Sequence, residues 1–204
     1  MCGNGSRCVG KFVYDKGLTE KKSVTLETLS GIKILNLHVE NGKVESVSVD
    51  MGKSQILMLG GNTTPFVNQP ITAKGITMNG TAVSMGNPHL VFFVENAEIF
   101  DVASVGPAFE HHPWFENRTN VEFAQILSPA KIRMRVWERG SGITMACGTG
   151  ACATFAAAKE CGFVNGKTTL VLDGGELQIE NSSTNGDVIM TGPAQTVFEG
   201  KIEI

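Results

Sequence analysis

A short motif occurs twice in this chain, and both copies have the same layout. The first copy is CGNGSRCVGKFVYDKG, from Cys2 to Gly17, and the second is CGTGACATFAAAKECG, from Cys147 to Gly162. In each, glycines follow the leading cysteine at the first and third positions, and another glycine closes the segment fifteen positions on. Glycine after the last turn is a typical helix stop. The pattern predicts a helix after each Cys-Gly motif, over about residues 6–15 and 151–160.

The similarity continues downstream of both helices. The stretch VTLETLSGIKI, from Val24, resembles TTLVLDGGELQI, from Thr168, and each follows its helix after a short loop. A single long spacing of this kind differs from the short repeat of a solenoid. We therefore expect two copies of one structural unit, each with a helix and matching exit strands.

Most of the remaining sequence predicts strands. Runs rich in β-branched residues, with partial alternation and Gly, Asn or Asp between them, are typical of strands. Ten such runs cover 23–29, 32–40, 44–52, 75–86, 89–95, 131–140, 168–175, 176–183, 187–192 and 196–204. A third, weaker helix pattern covers about residues 102–111. Many strands around two central helices predict an α+β fold.

Composition excludes several classes of function. The 204 residues are 42% hydrophobic and 18% charged, as in soluble globular proteins, and the net charge of −3 gives no basis for binding nucleic acid. No apolar run approaches the roughly 18 residues that span a membrane. The odd count of five cysteines argues against a disulfide framework and for a reducing cytoplasm.

The spacing of the cysteines also limits their chemistry. Cys2 to Cys8 and Cys147 to Cys152 do not match zinc-ligand spacing, and the C-x-x-C pattern of a dithiol redox site is missing. A cysteine hydrolase needs a histidine partner, for which His89 is the one suitable choice. We expect no metal, and we expect Cys8, Cys152 and Cys161 to be small core residues.

A cysteine at a helix start lies in the positive end of the helix dipole, which favours the thiolate and predicts a lowered thiol pKa. The adjacent glycines let backbone N–H groups approach an anion such as a carboxylate. If a two-fold repeat brings Cys2 and Cys147 to opposite sides of one pocket, one thiolate removes a proton from a carbon and the other thiol returns one. This predicts inversion at a carbon next to a carboxylate, with no cofactor.

These segments resemble a known family. Two segments, MCGNGSRC and ERGSGITMACGTGACAT, resemble the two signature segments of diaminopimelate epimerases. Three further segments occur in the family's order along the chain: GNPHLVFFV, RTNVEFAQIL and VWERGSG. The resemblance implies two similar domains, each a mixed, mostly antiparallel sheet wrapped around a central helix. It also implies a cytoplasmic, cofactor-independent enzyme, able to form a homodimer, that converts LL-diaminopimelate to the meso form for lysine and cell-wall synthesis.

The resemblance assigns roles to ten residues. It makes Cys2 and Cys147 the acid and base, and it makes Glu138 the partner of the reacting ammonium. The residues that it places around the reacting carboxylate are Gly3, Asn4, Gly148 and Thr149. Those that it assigns to the distal amino-acid end of the substrate are Asn87, Asn120 and Arg139.

One departure from the family pattern concerns the start of the chain. The resemblance implies a long segment before the first motif, whereas Met1 directly precedes Cys2 here. We therefore expect a truncated chain: residues 1–46 and 193–204 would be a remnant of the first domain, with an unpaired sheet edge and an exposed helix face, and 47–192 an intact second domain. Two alternatives stay open, a related racemase of the proline racemase type and a non-catalytic remnant.

Overall fold

A computed structural model describes residues 2–202, which form two compact units. Unit 1 consists of the described residues up to Val49 and from Thr191 onward, and unit 2 consists of Asp50–Met190. The assignment of 1–46 with 193–204 and of 47–192 to two epimerase domains stays a prediction.

The three helices are α1 (Gly3–Asp15), α2 (Val102–Glu110) and α3 (Gly148–Glu160). The strands are β1 (Ser23–Thr28), β2 (Gly31–Glu40), β3 (Lys43–Asp50), β4 (Gln55–Ile56), β5 (Gln69–Ala73), β6 (Ile76–Ser84), β7 (Pro88–Phe93), β8 (Asn120–Ser128), β9 (Lys131–Glu138), β10 (Gly142–Thr144), β11 (Thr168–Leu172), β12 (Gly175–Asn181) and β13 (Val188–Pro193).

Unit 1 packs one face of α1 against a small antiparallel sheet. The buried residues of α1 are Gly3, Ser6, Arg7 and Gly10, which follow one helical face. A Cβ on Gly10 would stand 2.8 Å from a methyl carbon of Leu37, so this glycine allows the helix to lie directly on β2. β1 pairs with β2, and β2 pairs with β3 across an Asn-Gly turn at residues 41–42 in which both residues have positive φ.

The opposite face of α1 is exposed. Phe12 is 56% exposed and Val9 is 40% exposed. Cys8 also lies on the exposed side of the helix. The prediction that Cys8 is a core residue is therefore wrong, because it lies off the face that Gly3, Ser6, Arg7 and Gly10 bury.

Unit 2 wraps a mixed sheet around α3. Its strand order is β12-β11-β9-β8-β7-β6-β4, with β10 beside β9 and β5 beside β6. The pairs β7–β8 and β9–β11 are parallel, whereas β4–β6, β5–β6, β6–β7, β8–β9, β9–β10 and β11–β12 are antiparallel. α3 contacts β6, β7, β8, β9, β11 and β12. Ten of its residues are buried, and most of these are Ala or Gly, which lets strands approach the helix on several sides. The predicted α+β architecture is confirmed.

A second layer of unit 2 covers the sheet with α2. Its core is aromatic: the ring centroids of Phe92 and Phe109 are 4.7 Å apart, and those of Phe100 and Phe123 are 4.5 Å apart. Both contacts are within the range in which aromatic pairs attract. The first of these contacts joins α2 to β7.

One predicted strand differs from the structure. Residues 196–202, predicted as a strand, have no strand structure, and residues 203–204 lie outside the described part of the chain. Val197 and Phe198 are more than four-fifths exposed, and a strand needs a hydrogen-bonded partner to form.

Within residues 2–202, none of the helices is long and apolar enough to cross a membrane.

Candidate active site

The leading cysteine of each motif is the N-cap of a helix of 13 residues. In unit 1, Cys2 Sγ accepts the Gly5 N–H at 3.4 Å. In unit 2, Cys147 Sγ accepts the Gly150 N–H at the same distance. Both cysteines have extended backbone conformations, and both helices are followed by a glycine with φ near +70°, Gly17 and Gly162. Each unit therefore has a thiol at the positive end of a helix dipole.

The segments after the two helices also match. β1 and β2 form an antiparallel hairpin in which Thr28 pairs with Gly31, and β11 and β12 form one in which Leu172 pairs with Gly175. Both hairpins turn through two residues, and both closing glycines have positive φ. The repeated unit predicted from the sequence is therefore a helix followed by a two-residue hairpin.

The Cys147 thiol is buried near two carboxylates. Cys147 is 7% exposed. Burial, followed by the negative charges of Glu122 and Glu138, raises the pKa of the Cys147 thiol to about 12, against the hydrogen bonds from Thr149 and Gly150. The predicted lowering of the thiol pKa is wrong for Cys147, because desolvation and two carboxylates outweigh the helix dipole.

Two buried residues behind Cys147, His89 and Glu122, form a pair; the sequence singled out His89 as the histidine suited to partner a cysteine, but it did not single out Glu122. His89 on β7 and Glu122 on β8 are fully buried, and Nδ1 of His89 lies 2.7 Å from Oε1 of Glu122. Burial raises the pKa of Glu122, while His89 opposes this. The second polar atom of each side chain has no hydrogen-bond partner among the described residues. The sequence signal for Glu122 was a lone Glu inside the apolar run NVEFAQIL.

The remaining predicted residues of unit 2 form two groups. Asn87 Nδ2 donates to Thr149 Oγ1 at 3.4 Å, and Thr149 Oγ1 lies 3.6 Å from Cys147 Sγ. The Thr149 hydroxyl therefore contacts both Asn87 and Cys147. Asn120 Oδ1 accepts the Arg139 N–H at 3.0 Å, and its Nδ2 donates to the Pro88 carbonyl at 2.9 Å. Asn120 therefore links the segments that carry Asn87 and Arg139.

Asn87 and Arg139 line one cavity of about 400 Å³, together with Trp114, Glu116, Asn117 and Arg118. The Arg139 guanidinium donates to the Asn117 carbonyl at 3.0 Å. It has no carboxylate partner within ion-pair distance among residues 2–202. A planar guanidinium in this state can bind a ligand carboxylate with two hydrogen bonds.

Glu138 is oriented within unit 2 by a hydroxyl group. Thr144 Oγ1 donates to Glu138 Oε1, and Glu138 pairs with Gly142 in the β9–β10 hairpin. The carboxylate is near enough to Cys147 to raise its pKa. Gly148 lies in the first turn of α3, where N–H groups have no partner within the helix.

The predicted residues of unit 1 lie at the start of α1. Gly3 is buried in its first turn, and Asn4 Oδ1 accepts a hydrogen bond from Arg7 Nη1 at 3.1 Å. Arg7 Nε donates to the Pro193 carbonyl at 3.1 Å. Arg7 thus fixes the side chain of Asn4 against the last residue of β13.

A family model described as diaminopimelate epimerase matches residues 1–57 and 81–197. The chain belongs to the diaminopimelate epimerase family. It is 54% identical over 207 residues to a diaminopimelate epimerase of Phocaeicola vulgatus, with 100% of this chain and 74% of that protein covered. It is 50% identical over 208 residues to one of Methanococcus maripaludis, with 100% and 75% covered. The chain thus spans about three quarters of these relatives.

Solved structures resemble this family member in fold alone. A hydroxyproline epimerase from Agrobacterium vitis with bound trans-4-hydroxy-L-proline matches with a TM-score of 0.70 at 16% identity, over 95% of this chain and 63% of that chain. A Bacillus anthracis phenazine biosynthesis protein of the PhzF family also has a TM-score of 0.70 at 16% identity, over 100% and 76%.

Proposed function

We propose that this chain interconverts LL- and meso-diaminopimelate by proton transfer at the α-carbon, with Cys2 and Cys147 as acid and base and without a cofactor. The observation that carries the proposal is the shared geometry of the two thiols. Each caps a helix of 13 residues and accepts an N–H from the glycine three positions on, at 3.4 Å. Membership of the diaminopimelate epimerase family gives the substrate.

In the proposed reaction, one thiolate takes the α-proton, so that an S–H bond forms as the C–H bond breaks. The electron pair moves into the substrate carboxylate. The other thiol then gives its proton to the opposite face of the carbon and becomes the thiolate. Helix N-termini that face the carboxylate stabilise the extra negative charge, and Gly3, Asn4, Gly148 and Thr149 would surround this group.

The high pKa of Cys147 supports a specific starting state. A thiol with a pKa of about 12 carries its proton at neutral pH, so Cys147 would begin as the acid. Its conjugate thiolate is then a stronger base than an ordinary one, which suits the removal of a weakly acidic α-proton in the reverse direction. Burial excludes water that would otherwise compete for the proton.

The distal half of the substrate would be held in unit 2. Arg139 would bind the distal carboxylate in the cavity that it lines with Asn87, and Asn120 would contribute at the same end. Glu138 would pair with the ammonium of the reacting centre. The five free cysteines fit a reducing cytoplasm. The same proposal includes a homodimer. Sedimentation velocity can distinguish this homodimer from a monomer.

The experiment is to incubate purified protein with LL-diaminopimelate and follow formation of the meso isomer by chiral chromatography. We expect turnover by the unmodified chain, and none by Cys2→Ala or Cys147→Ala. Cys8→Ala is the matched control, because Cys8 is exposed on the same helix as Cys2 and has no proposed role. Unchanged epimerisation in either variant of the proposed pair would overturn the two-thiol mechanism.

L-Proline is the second substrate in this experiment, because the fold also occurs in a hydroxyproline epimerase. Racemisation of proline without action on diaminopimelate would favour a racemase of that type. No action on either compound by a folded chain would favour the non-catalytic alternative.

A further inference from the structure

A buried carboxylate at the end of α2 receives three hydrogen bonds. Glu110 has a side chain that is 5% exposed. Its Oε1 accepts the Gly140 N–H at 2.9 Å and Arg118 Nη1 at 3.0 Å, and its Oε2 accepts the Trp137 indole N–H at 2.6 Å. A buried charge is expensive unless it is paired and fully hydrogen-bonded, and this one is.

Two of these donors lie on either side of Glu138 and Arg139. Trp137 directly precedes the two residues, and Gly140 directly follows them. Gly140 has a φ of +77°, a conformation that favours glycine, and the Ser141 N–H closes the turn on the Glu138 carbonyl at 3.0 Å. Glu110 therefore holds the Trp137 side chain on one side of the two residues that would bind substrate, and the Gly140 backbone on the other.

Packing fixes the donor on β9 relative to α2. A Cβ on Gly106 would stand 2.6 Å from Cβ and Cγ of Trp137, so the tryptophan lies directly on this turn of the helix. The ring cannot move away without losing this contact, and its N–H stays directed at Glu110. The end of β9 is thus attached to α2 by shape and by a charged hydrogen bond.

Glu110 affects the two substrate-binding side chains differently. The carboxylate of Glu138 is also held by Thr144, and its backbone by the β9–β10 pairing. The backbone of Arg139 depends on the turn itself: its N–H donates to Asn120 and the next N–H donates to Glu110, while its guanidinium donates to the Asn117 carbonyl. Glu110 also pairs with Arg118, the other arginine of the cavity, and leaves Arg139 available for a ligand.

We infer that Glu110 is a positioning residue that holds Arg139 for the distal carboxylate of the substrate. It acts through Gly140 and Trp137 and takes no part in proton transfer. The inference rests on the proposed function, because it assigns the end of diaminopimelate that the cavity would hold. It requires loss of Glu110 to weaken substrate binding while the proton-transfer step is retained.

The test uses Glu110→Gln in the whole chain, with Glu98→Gln as the control. Glu98 is also a carboxylate of unit 2 bound to an arginine, Arg133, but it lines no part of the cavity. We expect Glu110→Gln to raise KM and the Kd for diaminopimelate about tenfold, the effect of a lost charged hydrogen bond, with kcat within about twofold. Glu98→Gln should leave both constants unchanged.

A second readout does not depend on turnover. In ¹⁵N-labelled protein, the Gly140 amide and the Trp137 indole resonances should titrate together with the Glu110 carboxyl at acidic pH and lose this step in Glu110→Gln. If that variant does not fold, Trp137→Phe removes one donor and keeps the ring on Gly106; it should show a smaller rise in KM and Kd.

The outcomes separate this inference from the proposed function. An unchanged KM and Kd in Glu110→Gln, with a wild type that binds diaminopimelate, overturns the inference alone. A fall in kcat at constant KM and Kd overturns it too, because it would place Glu110 in the chemical step. A wild type that neither binds nor converts diaminopimelate overturns the proposed function, and the resonances then report only a structural turn.

Discussion

The carboxylate of Glu122 lies directly against Gly150 in the first turn of α3. A Cβ on Gly150 would stand 2.7 Å from Glu122 Oε1 and 3.2 Å from Cys147 Sγ. Neither neighbour can move at small cost, because Glu122 is fully buried and bonded to His89. Glycine at this position therefore leaves room for the Glu122 carboxylate beside the turn whose N–H donates to the Cys147 thiol.

Gly150→Ala should be destabilising. We expect a loss of about 1–3 kcal/mol in the free energy of unfolding, as for an overpacked core, measured by urea denaturation. The matching position in unit 1 gives the control: a Cβ on Gly5 would stand 3.5 Å from Cys2 Sγ, an ordinary contact. Gly5→Ala should be neutral or slightly stabilising. Equal losses in the two variants would show that the contact with Glu122 has no effect.

The reactivity of Cys147 should depend strongly on pH. Because burial and the charges of Glu122 and Glu138 raise its pKa to about 12, the thiol stays protonated at pH 8 and reacts slowly with iodoacetamide. Glu122→Gln removes one negative charge and should lower the pKa, so that alkylation begins at lower pH. Peptide mass spectrometry of Cys147 measures this rate. An alkylation profile that keeps its pH midpoint in Glu122→Gln would mean that access alone limits the reaction.

Asn120 should stabilise unit 2 through both ends of its amide. Asn120→Ala leaves the Arg139 N–H and the Pro88 carbonyl without their partner, and we expect a loss of about 1–3 kcal/mol by urea denaturation. Asn62→Ala, at an exposed loop position, should cost little. Asn120→Asp retains the acceptor for Arg139 and should be intermediate. A larger loss in the Asp variant than in the Ala variant would contradict this order.

Unit 1 should have an acid-sensitive contact at the end of α1. Asp15 Oδ1 accepts the Val44 N–H at 2.9 Å, and Oδ2 pairs with Lys11 at 2.8 Å. Burial raises the pKa of Asp15, but the bonds from Lys11 and Val44 outweigh it and the net pKa is lowered. Stability from this group is therefore present above the pKa of the unfolded chain and is lost as pH falls through the folded-state value.

Asp15→Asn tests this contact. The variant should be less stable than the wild type at pH 7 and should approach it at acidic pH, where the wild-type carboxylate is also neutral. Urea denaturation across this pH range measures the difference. Glu20→Gln, an exposed carboxylate after the same helix, should show no such dependence. A constant difference between Asp15→Asn and wild type at all pH values would exclude the ion pair as its source.

The helices and hairpins could be predicted from the sequence because their signals are local. Gly17 and Gly162 end helices through positive φ, and the strand runs after them alternate as a two-layer packing requires. The helices begin earlier than predicted, at Gly3 and Gly148, because the cysteines themselves are the N-caps. Residues 196–202 read as a strand, but strand formation depends on a partner, which a local pattern does not reveal.

The thiol environment could not be predicted, because it depends on burial and on residues distant in sequence. The helix dipole alone indicates a lowered pKa for Cys147, and only the fold places Glu122 and Glu138 beside it. The same holds for Glu110, whose three donors come from three separate segments. A carboxylate inside an apolar run was the only local sign of Glu122.

The central claim is that two thiols exchange protons on opposite faces of one carbon, and isotope incorporation tests it most directly. In deuterated water, with LL-diaminopimelate and early sampling, we expect the meso product to carry deuterium at the inverted α-carbon. The recovered LL substrate should remain protiated, because its proton leaves to one thiol and deuterium arrives from the other. Deuterium entering the recovered substrate as fast as product forms, or product without deuterium, would contradict the account.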